Sequence, residues 1–251
     1  MKVDSLFSMK DDKIIITGAS RGIGSAIAEF LCEAGARVTL VARDEDELRS
    51  LATRLNNKGY ADFIALDVTD LAAVKNSRIK DECYDVLINN AGTNHPLPFQ
   101  DVTEEIYDKI INLNTKSTYF LTQLVVSNML REGTSGSIIN ISSQMGHVGA
   151  KNRSVYCMSK FALEGMTRAL AVELAPHNIR VNTVCPTFIE TPMTKGFLED
   201  ESFRTEVLAK IKTGRLARPN DLFGAIALLA SVASQMMTGS SLMIDGGWTA
   251  D

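Results

Sequence analysis

The sequence predicts an α/β fold in which helices cover both faces of a parallel β-sheet. Short β-branched apolar runs alternate with longer amphipathic segments from Lys13 to the C-terminus. A glycine-rich turn follows the first apolar run directly, which is typical of a strand that leads into a helix. Because no Pro/Gly/Ser-rich linker or block of charge divides the chain, we predict one domain over residues 1–251.

The predicted strands are runs rich in Val, Ile and Thr, which favour extended backbone. In chain order they are Lys13–Thr17, Arg37–Val41, Ala61–Leu66, Tyr84–Asn89, Gly136–Ile141, Asn178–Val184 and Ser241–Asp245. Helical periodicity is found between them, for example over Ile23–Ala34 and Leu163–Leu174. Strands that alternate with helices pair in parallel, and such sheets bind ligands at their carboxyl ends.

Composition argues for a small-molecule partner. The chain has 251 residues and a formal net charge of −4, so it offers no basic footprint for nucleic acid or for an acidic membrane surface. Its four cysteines form no CxxC pair, which argues against a zinc site or a disulfide framework. The N-terminal residues contain no apolar segment of the kind found in export signals, so we expect a cytoplasmic protein.

The three histidines, His95, His147 and His177, have no metal-ligand spacing, and no metal site is predicted. His147 lies four residues after Ser143, and His95 lies in the proline-containing stretch Thr93–Gln100. Either could contact a substrate, although a lone histidine is more often a loop or surface residue.

The stretch TGASRGIG follows the first predicted strand and opens a helix, with glycines at Gly18, Gly22 and Gly24. Such a turn directs unpaired backbone N–H groups and the positive end of a helix at one point, which suits a pyrophosphate. We therefore predict a dinucleotide site here, although three glycines after a strand can also form a plain tight turn. The other predicted contacts in this loop are Ser20, Arg21 and Ile23.

The residue after the second strand bears on the choice of cofactor. NAD sites of this architecture carry a carboxylate about 20 residues after the first glycine, to bind the ribose 2′-hydroxyl. Arg43 stands there instead, and a guanidinium can bind a 2′-phosphate, with Arg21 closing from the other side. We predict NADP(H), with NAD(H) as the alternative. The competing interpretation is a surface ion pair between Arg43 and a neighbouring acid, Asp44, Glu45 or Glu47.

Tyr156 and Lys160 are four residues apart in a segment with helical period, so their side chains share one face. A lysine ammonium about 5 Å from a phenol would favour its ionisation by about two pKa units. The pair could then exchange protons with a substrate near neutral pH. An amphipathic helix with an extended surface lysine is the alternative for these two residues taken alone.

Several motifs together resemble the short-chain dehydrogenase/reductase family over nearly the whole chain. They are TGASRGIG, Asp67–Val68, NNAG at Asn89–Gly92, a serine after the fifth strand, YCMSK, and MIDGGW near the C-terminus. The resemblance implies a Rossmann-type doubly wound sheet. It also implies catalytic roles for Asn114, Ser143, Tyr156 and Lys160. Ser142 and Asn112 are the competing positions, and the family spacing favours Ser143 and Asn114.

The resemblance implies a role for each of these four residues. Tyr156 would exchange the proton, and Lys160 would lower its pKa and bind the nicotinamide ribose. Ser143 would donate a hydrogen bond to the substrate oxygen. Asn114 would hold a water that links Lys160 to solvent.

The resemblance also implies further cofactor contacts. Asp67 and Val68 would lie at the adenine; Asn90, Ala91 and Gly92 beneath the ribose; and Asn182, Pro186, Ile189 and Thr191 near the nicotinamide. Thr187 departs from the family pattern, in which glycine follows this proline. If that position required a positive φ, a β-branched residue would be strained. Residues 187–215 are the predicted substrate loop or lid.

We therefore predict an NADP(H)-dependent oxidoreductase that acts on a ketone or a secondary alcohol, and the resemblance implies a homotetramer packed through long helices. The alternatives are a 3-oxoacyl-[acyl-carrier-protein] reductase and an NAD(H)-dependent sugar or polyol dehydrogenase. An enoyl reductase of this fold would space its tyrosine and lysine more widely. A rival from another class is a non-catalytic dinucleotide-binding regulator.

Overall fold

The computed structural model describes residues 3–250; Met1, Lys2 and Asp251, at the ends of the predicted domain, lie outside the described residues. Seven strands form one parallel sheet in the order β3-β2-β1-β4-β5-β6-β7. They are β1 Lys13–Thr17, β2 Arg37–Ala42, β3 Tyr60–Ala65, β4 Val86–Asn89, β5 Gly136–Ile141, β6 Ile179–Pro186 and β7 Ser241–Ile244. The predicted fold class is confirmed, and each strand ends within two residues of its predicted limits.

Ten α-helices flank the sheet within the described range. They are α1 Val3–Leu6, α2 Gly22–Glu33, α3 Glu45–Leu55, α4 Leu71–Asn76, α5 Glu104–Ile111, α6 Ser117–Glu132, α7 Ser154–Leu174, α8 Pro192–Leu198, α9 Glu201–Lys210 and α10 Phe223–Ala230. A π-helical turn, Asn112–Lys116, joins α5 to α6. No helix of residues 3–250 is both long enough and apolar enough to cross a bilayer.

The core lies on both faces of the sheet because strand side chains alternate in direction. Ile14 and Ile16 of β1 face a layer that contains α2, α3 and α10. Ile15 faces the opposite layer, which contains α4, α6 and α7. All three isoleucines are fully buried, so a polar residue at any of these positions would disrupt one of the two layers.

The strand order reverses at β1, whose neighbours are β2 on one side and β4 on the other. In such sheets the crevice at the carboxyl ends of these strands is the usual ligand site. The glycine loop after β1 and the NNAG stretch after β4 both begin there. The topology therefore brings two sequence motifs together that are about 70 residues apart.

Residues 187–215 form two short helices, α8 and α9, rather than the extended loop that their length suggested. The side chain of Asp200 caps α9 by accepting hydrogen bonds from two backbone N–H groups. Phe188, Val207, Ile211 and Leu216 form a separate apolar cluster with Met145. The segment is thus a helical cover with its own small core, and its role as a substrate lid stays a prediction.

Candidate active site

The glycine loop between β1 and α2 has a backbone conformation that leaves no room for a side chain at two of its positions. Gly18 has φ +62°, in the left-handed region that favours glycine. A Cβ on Gly24 would lie 2.2 Å from the Gly18 carbonyl oxygen. Arg21 caps α2 without a side-chain hydrogen bond, so the first N–H groups of the helix receive no capping side chain from it. The loop has the shape and polarity that a pyrophosphate requires.

Asn90 and Thr17 hold this loop in place. The Asn90 Nδ2 donates to the carbonyls of Thr17 (2.9 Å) and Gly18 (3.1 Å). The N–H groups of Asn90 and Ala91 both donate to the Thr17 hydroxyl, at 3.1 and 3.0 Å. The structure therefore gives Asn90 a bracing role that the sequence pattern did not suggest, in addition to its predicted place beneath the ribose.

Arg43 is exposed at the end of β2, and its Nη1 lies 4.0 Å from Oδ2 of Asp67. Its acidic neighbours are engaged elsewhere: Asp44 caps α3, and Glu45 pairs with Arg49. Asp44 and Glu45 therefore do not form the surface ion pairs with Arg43 that the sequence left open as an alternative. Burial opposes ionisation of Asp67, but hydrogen bonds from Thr69 and the charge of Arg43 outweigh it and lower its pKa.

The remaining predicted adenosine contacts lie near this crevice. Val68 is buried in the core cluster beneath the sheet, so any contact with a cofactor would come from its backbone. Gly92 lies beside Asn114, whose Oδ1 would be 3.4 Å from a Cβ at Gly92. A Cβ at this position would therefore make an ordinary contact with the predicted catalytic asparagine.

Ser143 follows β5 in a short 3-10 turn, Gln144–Gly146, and is buried. Its hydroxyl donates to Oε1 of Gln144 (2.7 Å) and accepts from the N–H of Met145 (3.1 Å). It also lines the same cavity as Tyr156. The adjacent Ser142 does not line that cavity, so the structure places Ser143 rather than Ser142 beside the tyrosine.

Tyr156 and Lys160 lie one turn apart on α7, and the Lys160 Nζ is 5.6 Å from the centre of the Tyr156 ring. Lys160 is 5% exposed, and its ammonium donates to the carbonyl of Ile141 at 2.9 Å. The two side chains therefore share one face of α7, as their spacing in the sequence predicted. Both side chains stand near the carboxyl end of β5, where the ligand crevice opens.

The electrostatics of the pair differ from the expectation. Burial raises the pKa of Tyr156, and a hydrogen bond with Ser143 and the charge of Arg153 only partly offset it. Burial also lowers the pKa of Lys160 to about 8, although Cys185 and Glu164 act in the opposite direction. The expected lowering of the tyrosine pKa by Lys160 is therefore not found: burial is the largest cause of the shift, and Lys160 is not among the groups that oppose it.

Asn114 lies in the π-helical turn and is 1% exposed. Its Nδ2 donates to the Thr93 carbonyl (2.9 Å) and the Ser159 hydroxyl (3.0 Å), and its Oδ1 accepts from the Thr93 N–H (2.8 Å). Ser159 in turn donates to the Tyr156 carbonyl at 2.7 Å. Both amide hydrogens are therefore engaged with protein, so a water held by Asn114 would have to bind one of its oxygen atoms.

A buried polar cluster beneath Lys160 was not predicted. Glu164, one turn further along α7, accepts hydrogen bonds from Thr183 (3.1 Å) and Ser241 (2.6 Å). The His147 Nε2 lies 3.5 Å from its carboxylate, and the Cys185 thiol lies 3.4 Å from it. These groups come from separate elements of the chain, so no sequence spacing could have connected them.

The predicted nicotinamide-side residues lie between β6 and α8. Pro186 ends β6, Ile189 is 2% exposed and forms a bridge with Ala217, and Thr191 caps α8. Thr187 is absent from the non-glycine residues with positive φ among residues 3–250. The threonine is thus accommodated without left-handed backbone, and the strain considered for this departure does not arise.

A cleft with an empty volume of about 440 Å³ opens beside Ser143 and Tyr156. Thr187, Phe188 and Thr194 of the helical cover form one of its walls. Arg153 also lines it, which sequence reasoning missed; the available signal was an arginine directly before α7, three residues before Tyr156. The cleft thus places polar side chains and a cation beside the predicted proton donor.

Comparisons with known proteins decide the family. Residues 18–249 match a family model described as Enoyl-(Acyl carrier protein) reductase. L-xylulose reductase of Bos taurus is 37% identical over 238 residues, which cover 95% of this chain and 96% of that protein. The chain belongs to the short-chain dehydrogenase/reductase family. It is therefore an enzyme of the NAD(P)-dependent oxidoreductase class, as predicted.

Other short-chain dehydrogenases/reductases are similar to this chain over its full length. The 3-oxoacyl-[acyl-carrier-protein] reductase FabG of Vibrio harveyi is 36% identical over 237 residues, covering 93% of this chain and 95% of that protein. A gluconate 5-dehydrogenase from Burkholderia cenocepacia, solved in complex with NADP and tartrate, is 28% identical. The two structures superpose with a TM-score of 0.94, and the alignment covers 100% of each chain.

Proposed function

We propose that this short-chain dehydrogenase/reductase uses NADP(H) to reduce the ketone of a small polyhydroxylated compound, with Tyr156 as the proton donor. One observation carries the proposal: Tyr156 and Ser143 line the same cleft, with the buried cation of Lys160 one turn away. A carbonyl oxygen placed between the two hydroxyls would meet both a hydrogen-bond donor and a source of protons.

The cofactor preference is supported by the end of β2. No carboxylate follows the strand directly, and Arg43 is exposed with only a 4.0 Å contact to Asp67. A surface pair of this kind contributes about 0–1 kcal/mol, so a 2′-phosphate could displace it at little cost. NADP is also the cofactor bound by the Burkholderia cenocepacia relative.

The raised pKa of Tyr156 suits the role of proton donor in the reductive direction. A phenol with a pKa above its usual value stays protonated near neutral pH, which is the state that a general acid requires. When bound, NADPH supplies the hydride. Tyr156 then gives its proton to the oxygen that gains negative charge, while Ser143 donates a hydrogen bond to the same oxygen.

Lys160 and Asn114 support this step. The Lys160 ammonium, held by the Ile141 carbonyl, lies where it can stabilise the tyrosinate left after proton transfer. Asn114 fixes Ser159, which holds the Tyr156 backbone. A water bound to an Asn114 oxygen would return the proton from solvent, as the family resemblance implies.

The substrate class is supported by the relatives and by the cleft. One relative is a reductase of L-xylulose, and another is a gluconate dehydrogenase. Several polar side chains line the cleft, including Asn94, Gln144, Thr187 and Thr194. A small compound with several hydroxyl groups fits this lining better than a hydrocarbon does.

Reduction of an acyl-carrier substrate is the second candidate, because the Vibrio harveyi relative has that activity by name. It requires a basic surface near the cleft to bind an acidic carrier protein. In the helical cover, however, Arg215 makes two hydrogen bonds to Asp221, and Lys210 lies 3.7 Å from Glu206. These pairs weaken the positive surface, so we favour the small substrate.

The decisive experiment is a panel of ketones and alcohols assayed with NADPH, NADH and their oxidised forms, for wild type and Tyr156→Phe. We expect NADPH-dependent reduction that falls about 10³-fold in the variant, with an unchanged Kd for NADPH, because only proton transfer is lost. Tyr60→Phe, at an exposed tyrosine at the start of β3, is the matched control. Activity close to wild type in Tyr156→Phe would refute the proposal. NADPH binding without turnover of any compound would favour the regulator class.

We also propose an oligomeric state and a cellular location for the protein. Five large side chains on α6 and α7 are 43–80% exposed: Tyr119, Leu130, Met158, Phe161 and Val172. Burial of these residues between copies of the chain would suit the homotetramer that the family resemblance implies. Light scattering of the purified protein would measure its mass. The four cysteines are free thiols, consistent with the proposed cytoplasmic location.

A further inference from the structure

Arg153 is a buried cation in the substrate cleft that the proton-transfer step does not use. It is 5% exposed and directly precedes α7. Its guanidinium carbon lies 5.6 Å from the ring centre of Phe188 and 5.8 Å from that of Phe203. Both aromatic residues belong to the helical cover, so the cover and the start of α7 meet around this guanidinium.

This position is costly for a cation. Burial lowers the pKa of Arg153, which shows that water solvates the guanidinium poorly. The N-terminal end of a helix also carries partial positive charge, which disfavours a cation there. Aromatic rings stabilise a cation but do not cancel its charge. Among the described residues that line the cleft, Arg153 is the one with a formal charge, so an anionic group of a ligand in the cleft would meet a cation.

Two side-chain oxygens in the cleft are buried without a hydrogen-bond partner in the described part of the chain. They are the Asn94 Oδ1 and the Thr187 Oγ1. Both residues line the cleft with Arg153 and Tyr156. An orphaned buried polar atom costs about 1–3 kcal/mol, and hydroxyl groups of a bound compound would remove that cost.

We propose that the substrate is a hydroxylated keto acid whose carboxylate is bound by Arg153 and whose hydroxyl groups are bound by Asn94 and Thr187. This inference rests on the proposed function, since it assigns the substrate of the same cleft. A carboxylate and a guanidinium form paired, charge-assisted hydrogen bonds, which are strongest in a site shielded from water. Arg153 is therefore the residue that selects an acid over a neutral ketose.

A matched pair of compounds tests this selection. 5-Keto-D-gluconate and L-sorbose share the ketone and the neighbouring stereocentres, and they differ by a carboxylate against a hydroxymethyl group at the far end. We expect wild type to reduce the acid with a kcat/KM on the order of 100-fold higher. In Arg153→Met this ratio should fall to about one, mainly through a higher KM for the acid. Arg153→Lys should restore part of the preference.

Arg168→Met is the control, because Arg168 is an exposed arginine on the same helix. Its preference should equal that of wild type. The Kd for NADPH of each variant reports whether the fold and the cofactor site are intact. Equal reduction of both compounds by wild type would overturn the inference, and so would a preference that survives in Arg153→Met.

Cyclopentanone separates this failure from a failure of the proposed function. If wild type reduces cyclopentanone but neither of the two hydroxylated compounds, the keto acid assignment and the polyhydroxylated substrate class are both wrong, while ketone reduction with Tyr156 as the proton donor stands. If no ketone is reduced, or if Tyr156→Phe reduces them as well as wild type does, the proposed function itself fails.

Discussion

The cofactor side and the substrate side of the crevice are built in different ways. The glycine loop is braced by backbone hydrogen bonds and by Asn90, and its shape requires glycine at Gly18 and Gly24. The substrate cleft is bordered by aromatic and apolar side chains. Two of its buried oxygens, on Asn94 and Thr187, have no hydrogen-bond partner among the described residues. The protein alone therefore holds the first side in shape and leaves the N–H groups at the start of α2 for a ligand, whereas the second side has orphaned side-chain oxygens for a ligand to satisfy.

The difference predicts how each side responds to mutation. A change in the braced loop should affect the fold as well as cofactor binding, because several backbone contacts depend on one geometry. A change in the cleft should act mainly on the KM of the substrate. Activity and stability measured together on the same variants would therefore separate the two sides.

The largest effect of this kind is expected at Gly24. In Gly24→Ala the new Cβ would meet the Gly18 carbonyl at 2.2 Å, so the loop has to shift. We expect a loss of about 3 kcal/mol in the free energy of unfolding and loss of detectable NADPH binding. Gly165→Ala on α7 is the control, because no atom lies within 4 Å of its Cβ and alanine favours helix. Equal stability of both variants would contradict the rigid description of the loop.

A smaller effect is expected at the rim of the cofactor side. Arg43→Ala should raise the KM for NADPH by about 30-fold and leave the KM for NADH within about twofold, because only NADPH carries the 2′-phosphate. Stability should be unchanged, since the contact with Asp67 is long and exposed. Arg49→Ala, another exposed arginine nearby, is the control. Equal use of both cofactors by wild type would refute the NADP(H) assignment.

The smallest effect is a pH dependence at the junction of the two sides. Lys160 has a pKa of about 8 in the folded protein, so its cation is present below that pH and is lost above it. Tyr156 has a raised pKa and keeps its proton over the same range. We therefore expect kcat/KM for ketone reduction to fall up to about tenfold per unit above pH 8. Kd values for NADPH at each pH separate binding from chemistry, and a flat profile to pH 9.5 would contradict this.

Much of the fold and part of the site follow from local sequence patterns. Most strands were predicted correctly because runs of five to seven residues with β-branched or aromatic side chains favour extended backbone. The glycine loop is encoded within eight residues, and the Tyr156–Lys160 pair within one helical turn, so neither needs information from elsewhere in the chain. The helices of residues 187–215 were missed because α9 has a polar, weakly periodic sequence and depends on a cap and a small apolar cluster.

Only the tertiary structure determines the environment of each residue in the site. Arg153 becomes a buried cation only because Phe188 and Phe203 pack around it, and Glu164 meets Cys185 only across α7 and β6. The pKa of Tyr156 is raised where a lowering was expected, and burial lowers the pKa of Lys160, since desolvation depends on every neighbour at once. Spacing along the chain determines which groups can meet, whereas burial determines what each group can do after they meet.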